Sequence, residues 1–537
     1  MFIKKTYSKN KTYYSVVEGY REDGQVKHRV IAKLGTQDDE KALEELAFKI
    51  LKAIDSPCLH EKLSNLKELS RSNWGISAVY KALWKKFELD TILDTVWKER
   101  SFKFNAAHAV FVMVLDRLSH PCSKSKTFAQ QSRHFDLKAV SMQHLYRSLD
   151  LLADSKEAIE TALFLKNRSL FNMKIDIVFY DVTTVYFESQ KSDALKDFGF
   201  SKDHKNNEVQ VVMGLLMNAE GRPVGFNLFP GNTFEGKTVE KALEKLKERF
   251  FLGKVIWVSD RGFCSSTTFE ALKTKGYEYI VGAKLKTMSV KMKKQIQDIQ
   301  SYQVLQEGEE PIRYKILEIE APASKTKETE KPEKSDRLIC TWSQKRANKD
   351  QADRERLLEK AQELLENPTK VANKRGTRKY LKTTTTTTGL DEEKIKADAE
   401  WDGLYGIRTN NATMTPLEIQ EAYGQLWRIE ECFRVLKTNL ELRPVYHWTP
   451  KRIQGHFVLC FLAFLLERSL ELMLKAENID ASVLKIKDSL SQLDLSVVQD
   501  HNKTFLLRSN IDELSKNVLS ILEIKIPPTF QPFVVQL

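Results

Sequence analysis

The hydrophobic period of this chain changes at Met173, and that change limits what it can fold into. Upstream, apolar residues recur at helical spacing in KALEELAFKILKAI, AAHAVFVMVLDRL and HLYRSLDLLAD, which predicts an all-α segment over residues 38–172. Downstream, IDIVFYDVTTVYF, VQVVMGLLMN and RPVGFNLFPGN read as consecutive strands. A helix (TVEKALEKLKERF), a short apolar strand (KVIWVSD), a second helix (SSTTFEALKTKG) and a fifth strand (YEYIVGAKL) complete the series.

Three consecutive strands followed by alternating helix and strand is the order of a ribonuclease H-like fold. The expected class is therefore α/β, with such a core formed by residues 173–284 and 402–474. In that order the first and fourth strands are neighbours, so Asp181 and Asp260 are expected to meet in space. Residues 1–37 read as a small basic β-hairpin whose strands join at Asp23-Gly24, a pair suited to positive φ. Residues 285–401 interrupt the core as a β-rich insertion. It holds RYKILEIEA and RLICTWS as strands, ADRERLLEKAQELLEN as a helix and the polar run PASKTKETEKPEKSD as an exposed loop. The threonine run Thr383 to Thr388 reads as a further strand. GHFVLCFLAFLLERSLELML is expected to pack on the sheet, and residues 475–537 form a tail of weaker pattern.

At 537 residues the chain exceeds what one hydrophobic core supports. Its 85 Lys and Arg against 73 acids give a charge of +12, a basic bias compatible with a polyanionic partner. The six cysteines show no CxxC pair, which argues against a disulfide framework or structural zinc site and for a reducing cytoplasm. None of the ten histidines has metal-ligand spacing. MFIKKTYSKNK has no apolar segment of the kind a leader needs, and the greasy run from Phe457 breaks at Glu467-Arg468, so neither a signal peptide nor a membrane span is expected.

Asp181 sits within an apolar and aromatic strand, where an unpaired carboxylate is costly to bury. Alone it reads as the partner of a buried cation, and Asp260 alone reads as a turn cap before Arg-Gly. Together, side by side, they repel unless a cation sits between them, which points to a metal site. Around Glu430, helical arithmetic places Ala422, Leu426, Ile429, Phe433, Leu436 and Leu440 on one buried stripe. Tyr423, Arg434 and Lys437 fall within about 40° of Glu430. An i,i+4 Glu-Arg pair is the plain alternative; the same border can offer an acid to a metal and cations to phosphate oxygens.

FYDVTTVYFES, VSDRGF, PGNTFEGKT, DGLYGIRTN, YGQLWRIEECFRVLK, RPVYHW and GHFVLCFLAFLLER resemble the DDE transposases of bacterial insertion sequences. The resemblance is to the insertion-sequence-four superfamily, whose members carry a β-rich insert between the second Asp and the Glu. It implies that Asp181, Asp260 and Glu430 are a catalytic triad holding two Mg2+ ions, with Mn2+ able to substitute. The family's tyrosine-arginine-glutamate-lysine signature maps onto Tyr423, Glu430 and Lys437, with Leu426 at the arginine position. Arg428 projects about 160° from Glu430, whereas Arg434 lies close enough to reach the same phosphate. Tyr423, Arg434 and Lys437, with Lys291, Lys293 and Lys294 of the insert, are the expected phosphate-binding residues. The implied partner is double-stranded DNA, as terminal inverted repeats and target, bound by a homodimer in the bacterial cytoplasm.

Trp401 and Trp342 are available to stack on a flipped base or simply to fill a core. Thr184 and Asn232 shape the metal pocket or make turns, and Lys202, His204 and Lys205 grip phosphate or lie in a solvated loop. Two rival functions are a catalytically retired DNA-binding protein and a nuclease that cuts without joining.

Overall fold

A computed structural model of the chain describes residues 2–8, 11–22, 25–35, 66–171, 177–201, 207–244, 255–308, 310–319, 335–366, 377–383, 388–500 and 503–533. It divides into two compact units.

One unit takes in residues 1–74, 492–511 and 526–537. Its first sheet is antiparallel and runs β1 (Phe2–Ser8), β2 (Lys11–Glu22), β3 (Gln25–Gly35), with Glu22 opposite Gln25. β2 and β3 are the expected hairpin arms; the Asp23-Gly24 pair lies outside the described residues. β1 is an additional strand. FIKKTYS has no apolar alternation to announce it, and its pairing runs along β2 from Phe2↔Val17 to Ser8↔Lys11. A second sheet orders Phe530–Pro532, Lys503–Arg508, Asp494–Asp500 and β4 (Lys67–Asn73). β4 falls within the stretch whose period reads as helical. KELSRSN is polar and largely exposed, so backbone pairing with Asp494–Asp500 rather than side-chain pattern makes it a strand.

The other unit, residues 75–491 and 512–525, holds the helices and the main sheet. Its helical part comprises α1 (Gly75–Lys86), α2 (Leu89–Val96), α3 (Ala106–Ser119), α4 (Lys124–Gln130), α5 (Met142–Asp154) and α6 (Lys156–Phe171). Asn105, Ser123 and Ser141 cap α3, α4 and α5 by accepting backbone N–H bonds from within the first turn. The core then runs β5 (Ile177–Tyr186), β6 (Gln210–Asn218), β7 (Pro223–Pro230), α7 (Glu235–Glu244), β8 (Ile256–Ser259), α8 (Ser266–Thr274) and β9 (Glu278–Gly282). The insertion contributes α9 (Val290–Gln297), β10 (Gln303–Gln306), β11 (Ile312–Ile319), β12 (Asp336–Trp342), α10 (Gln344–Glu366), β13 (Leu381–Thr383), β14 (Thr388–Leu390) and α11 (Glu392–Ala399). After it come β15 (Leu404–Thr409), α12 (Pro416–Gly424), α13 (Trp427–Arg434) and α14 (Pro450–Ala476).

Sheet order is β10-β11-β12-β15-β9-β8-β5-β6-β7. β5, β6 and β7 pair antiparallel, while β8 runs parallel to β5 and β9 parallel to β8, which is the ribonuclease H-like arrangement. Strands of the insertion continue this same sheet through β15, which pairs antiparallel with β9. The first threonine of the run, Thr383, ends β13 and the last, Thr388, begins β14, with residues 384–387 outside the described residues, as is most of the polar run before β12.

α14 is buried along most of its length. Phe226 of β7 meets Phe457 and Phe461 at ring centroid distances of 6.4 and 5.4 Å. α5 approaches so closely that a Cβ on Gly455 would stand 2.0 Å from the Leu149 carbonyl oxygen. A buried ion pair joins α6 to the sheet: Lys156 Nζ lies 2.8 Å from Glu160 Oε2, and Glu160 Oε1 accepts the Phe226 N–H at 2.9 Å. Among the described residues no helix is long and apolar enough to cross a membrane.

Within α14, Glu467 is buried and accepts a hydrogen bond from the Tyr80 hydroxyl. Burial pushes its carboxyl up to about 7. A raised acid binds its proton more readily in the folded state, so stability is lost as pH rises from about 4.5 through about 7. Buried His134 and His447, both pulled down to about 4 by burial, act in the opposite sense. The expected outcome is therefore read as a difference. In urea unfolding, Glu467→Gln gains on wild type by on the order of 3 kcal/mol between pH 5 and 8; a difference that stays constant with pH contradicts the buried, protonated carboxyl.

Candidate active site

Val178, Tyr180 and Val182 of β5 belong to an apolar cluster with Val239 of α7 and Phe269 and Leu272 of α8. Strand alternation therefore turns Asp181 to the other face, where it is half-buried. Its Oδ1 accepts the Val182 N–H at 2.7 Å. β8 runs alongside in parallel register, Phe179 opposite Val258, and carrying that register two residues on brings Asp181 abreast of Asp260.

Asp260 is exposed, and its Oδ1 accepts the Gly262 N–H at 2.8 Å. It thus caps the turn Arg261–Phe263, as the plain reading of its sequence has it. The cap uses one carboxylate oxygen; the other makes no hydrogen bond among the described residues. A Cβ on Gly262 would stand 2.9 Å from Asp260 Oδ1 and equally 2.9 Å from Glu235 Oε2. Glu235, in the first turn of α7, is thereby a close neighbour of Asp260 that the sequence reading passed over, although it stands in the quoted run PGNTFEGKT. Only contact across Gly262 reveals it.

Glu430 lies in the first turn of α13, which packs against β5. It is exposed and makes no hydrogen bond or ion pair among the described residues. The helix around it differs from the single straight rod that the angular argument requires. α12 ends at Gly424, the chain tightens through i→i+3 bonds at Gln425 and Leu426, and α13 opens into a π-helical turn over Val435–Asn439. Tyr423 and Lys437 therefore do not stand at the expected angles to Glu430. Arg434 shares α13 with it but lies 3.8 Å from Glu431 Oε1 instead. The apolar stripe survives: Ala422, Ile429, Phe433, Leu436 and Leu440 are buried and Leu426 half-buried.

Tyr423 reaches the Asp260 end by another route. Its hydroxyl accepts from Tyr405 of β15 at 2.5 Å and would lie 2.5 Å from a Cβ on Gly282, beside the Arg261 backbone. Burial, then Tyr405 and Asp260, push the Tyr423 phenol well up, so it stays protonated and can donate. Tyr405 is a second residue that the sequence reading did not single out. Lys437 is half-buried in the π-turn.

Lys291, Lys293 and Lys294 share α9, the first and last exposed and Lys293 half-exposed, with no ion pair among the described residues. Arg428 points away to the Ala219 carbonyl. Trp342 and Trp401 both pack on the insertion's apolar cluster, the core role among their two readings. Asn232 Nδ2 donates to Asp197 Oδ2 at 2.7 Å and so ties a loop, and Thr184 is buried in β5. Lys202, His204 and Lys205 lie outside the described residues.

Residues 172–466 match the family model described as "Transposase DDE domain", and residues 3–56 match "IS1634 family transposase, N-terminal domain". The chain belongs to the DDE transposase family. Its function is DNA transposition. No curated protein matches it in sequence. Among solved structures, a piggyBac transposase synaptic complex with hairpin DNA shares 7% identity at a TM-score of 0.35, over 79% of this chain and 82% of that one. A Mos1 transposase paired-end complex shares 11% at a TM-score of 0.15, over 34% and 60%. Likenesses of this size carry no argument here.

DDE transposases work with divalent metal ions. Among the described residues no three His, Cys, Asp or Glu side chains gather as a ready-made metal cage. The donors present are nonetheless of the right kind. A hard ion such as Mg2+ binds through one or two carboxylates, with waters and substrate phosphates completing its shell, so an Asp pair with one free oxygen on Asp260 fits it. The contact across Gly262 gives a direct check. In this DDE transposase Gly262→Ala should force Asp260 and Glu235 apart and lower metal-dependent DNA cleavage by about a hundredfold at unchanged thermal stability; full cleavage would mean that the spacing is not critical.

Proposed function

We propose that this transposase cleaves DNA at insertion-sequence ends and joins the freed strand to target DNA, with Asp181, Asp260 and Glu430 as the carboxylates that hold two Mg2+ ions, for which Mn2+ substitutes. The observation that supports this reading is the parallel pairing of β5 with β8, the strand of Asp181 with the strand that leads into Asp260, and the helix of Glu430 packed on β5. When bound, the ions lower the pKa of the attacking water or 3′-hydroxyl and stabilise the leaving oxygen.

The chain's own residues position and neutralise. Gly262 N–H fixes the Asp260 carboxylate. Tyr405 donates into Tyr423, which leaves the Tyr423 proton for a phosphate oxygen next to Asp260. Arg434 and Lys437, on the α13 helix and the π-turn that follows it, supply charge to phosphates, and Lys291, Lys293 and Lys294 meet backbone phosphates on the insertion. Double-stranded DNA, as terminal inverted repeats and target, is the partner, with a homodimer pairing two ends in the bacterial cytoplasm. β10 to β14, lying between Asp260 and Glu430, support the insertion-sequence-four grouping.

The test is strand transfer with Mg2+ on duplexes bearing the repeats that flank the coding region. Wild type is expected to cut and join, and Asp181→Asn to lose more than about a hundredfold in both at unchanged DNA affinity. Joining by the variant removes Asp181 from the triad. Binding without cutting by wild type marks a retired DNA-binding protein, and cutting without joining a nuclease.

A further inference from the structure

Beside Asp260 a cleft of about 640 Å³ opens between the Arg261–Phe263 turn, the end of β9 and the insertion helices α10 and α11. Its wall carries similar numbers of acids and cations, so its character depends on which of them are already neutralised. Asp350, Asp353, Asp398 and Asp402 each lie within ion-pair distance of an arginine or lysine, and Asp398 of two, Lys286 and Lys379. Two lysines hold the Asp398 carboxyl down to about 2 against its burial. These acids are satisfied and present little net charge to a ligand.

Arg261 and Lys284 are different. Both line the cleft, both are exposed, and neither meets a carboxylate among the described residues. The structure also holds them in place. Lys284 Nζ donates to the Cys264 carbonyl at 3.2 Å, which lays its side chain along the turn that Asp260 caps. Arg261 stands with its backbone N 3.0 Å and its Cβ 3.2 Å from where a Cβ on Gly282 would lie, two residues before Lys284. Two cations without a carboxylate partner among the described residues therefore line the cleft beside one carboxylate, Arg261 with its backbone packed against Gly282 and Lys284 held on the Cys264 carbonyl. Once that carboxylate faces a divalent cation, the local charge is strongly positive, and an anion with several oxygens is the ligand that neutralises it.

We propose that Arg261 and Lys284 grip the phosphodiester backbone of the DNA strand that enters at Asp260. This rests on the reading of Asp260 as a catalytic carboxylate. Arg261 offers a planar fork to two phosphate oxygens, and Lys284 a point charge to a neighbouring phosphate. Lys286 lines the same cleft and serves as an internal comparison, because it is already ion-paired with Asp398.

The experiment measures equilibrium binding of the full-length protein to a duplex carrying its flanking terminal repeat, over a series of salt concentrations in Ca2+. Arg261→Gln and Lys284→Gln should each reduce the slope of log K against log salt by about one, with the double variant losing about two. Both should weaken binding to the terminal repeat and to an unrelated duplex alike, and Lys286→Gln should leave the slope unchanged. Thermal unfolding midpoints confirm that each variant is folded; if Arg261→Gln is not, Lys284→Gln alone decides. A double variant with the wild-type slope, or a Lys286→Gln slope that falls equally, overturns the proposal while wild-type cleavage of the same duplex in Mg2+ leaves the functional reading standing. Wild type that neither binds nor cuts overturns both.

Discussion

Parallel pairing of β5 with β8, carried two residues beyond Phe179↔Val258, aligns the backbone positions of Asp181 and Asp260, and like charges brought close oppose the pairing that creates them. The opposite face of the same strands supplies the counterweight. Tyr180 packs at a tilt on Trp257 with ring centroids 4.8 Å apart and meets Phe263 edge-on at 5.5 Å, all three rings buried. Each buried ring contributes on the order of 2 kcal/mol or more. Repulsion between two acids at a solvent-facing rim is about 1 to 4 kcal/mol, depending on the local dielectric. Ring packing on this face is therefore large enough to offset such repulsion.

The same sheet explains how residues far apart in sequence reach Asp260. β15 pairs with β9 so that Ile407 stands opposite Gly282. That pairing delivers Tyr405 from one side while α12 delivers Tyr423 from another, and their hydroxyls meet beside the Asp260 turn. Because the insertion's strands extend the core sheet, the cleft next to Asp260 has one wall from the core and one from the insertion. An insertion tethered only by loops would not fix α10 and α11 against the site.

What was legible in the chain is what side-chain pattern encodes. The five core strands and their order follow from apolar runs and turn residues, and with them the parallel pairing of β5 with β8. β1 and β4 were not legible, because FIKKTYS and KELSRSN are polar segments whose strand identity comes from backbone pairing with partners that the segment itself does not reveal. Glu235 escaped for a related reason: nothing near it in sequence announces Asp260, and only the absence of a side chain at Gly262 lets the two carboxylates approach. Arg261 and Lys284 sit in quoted runs, but a cation counts toward binding only after its neighbours' ion pairs are known.

The Glu430 helix shows why spacing alone misplaces a phosphate grip. A π-turn advances fewer degrees per residue than an α-turn, so Lys437, seven residues on, no longer falls on the face of Glu430 that ideal geometry assigns it. Yet Leu436 and Leu440 remain buried within and just after that turn. The apolar stripe therefore sets the phase of this segment, and the backbone distorts to keep it. Polar positions are carried along by that distortion and end where packing leaves them. Leu426, half-buried, belongs to the same stripe. A guanidinium there would have to leave the packed face to reach a phosphate. Packing thus takes this position away from the polar face of the segment.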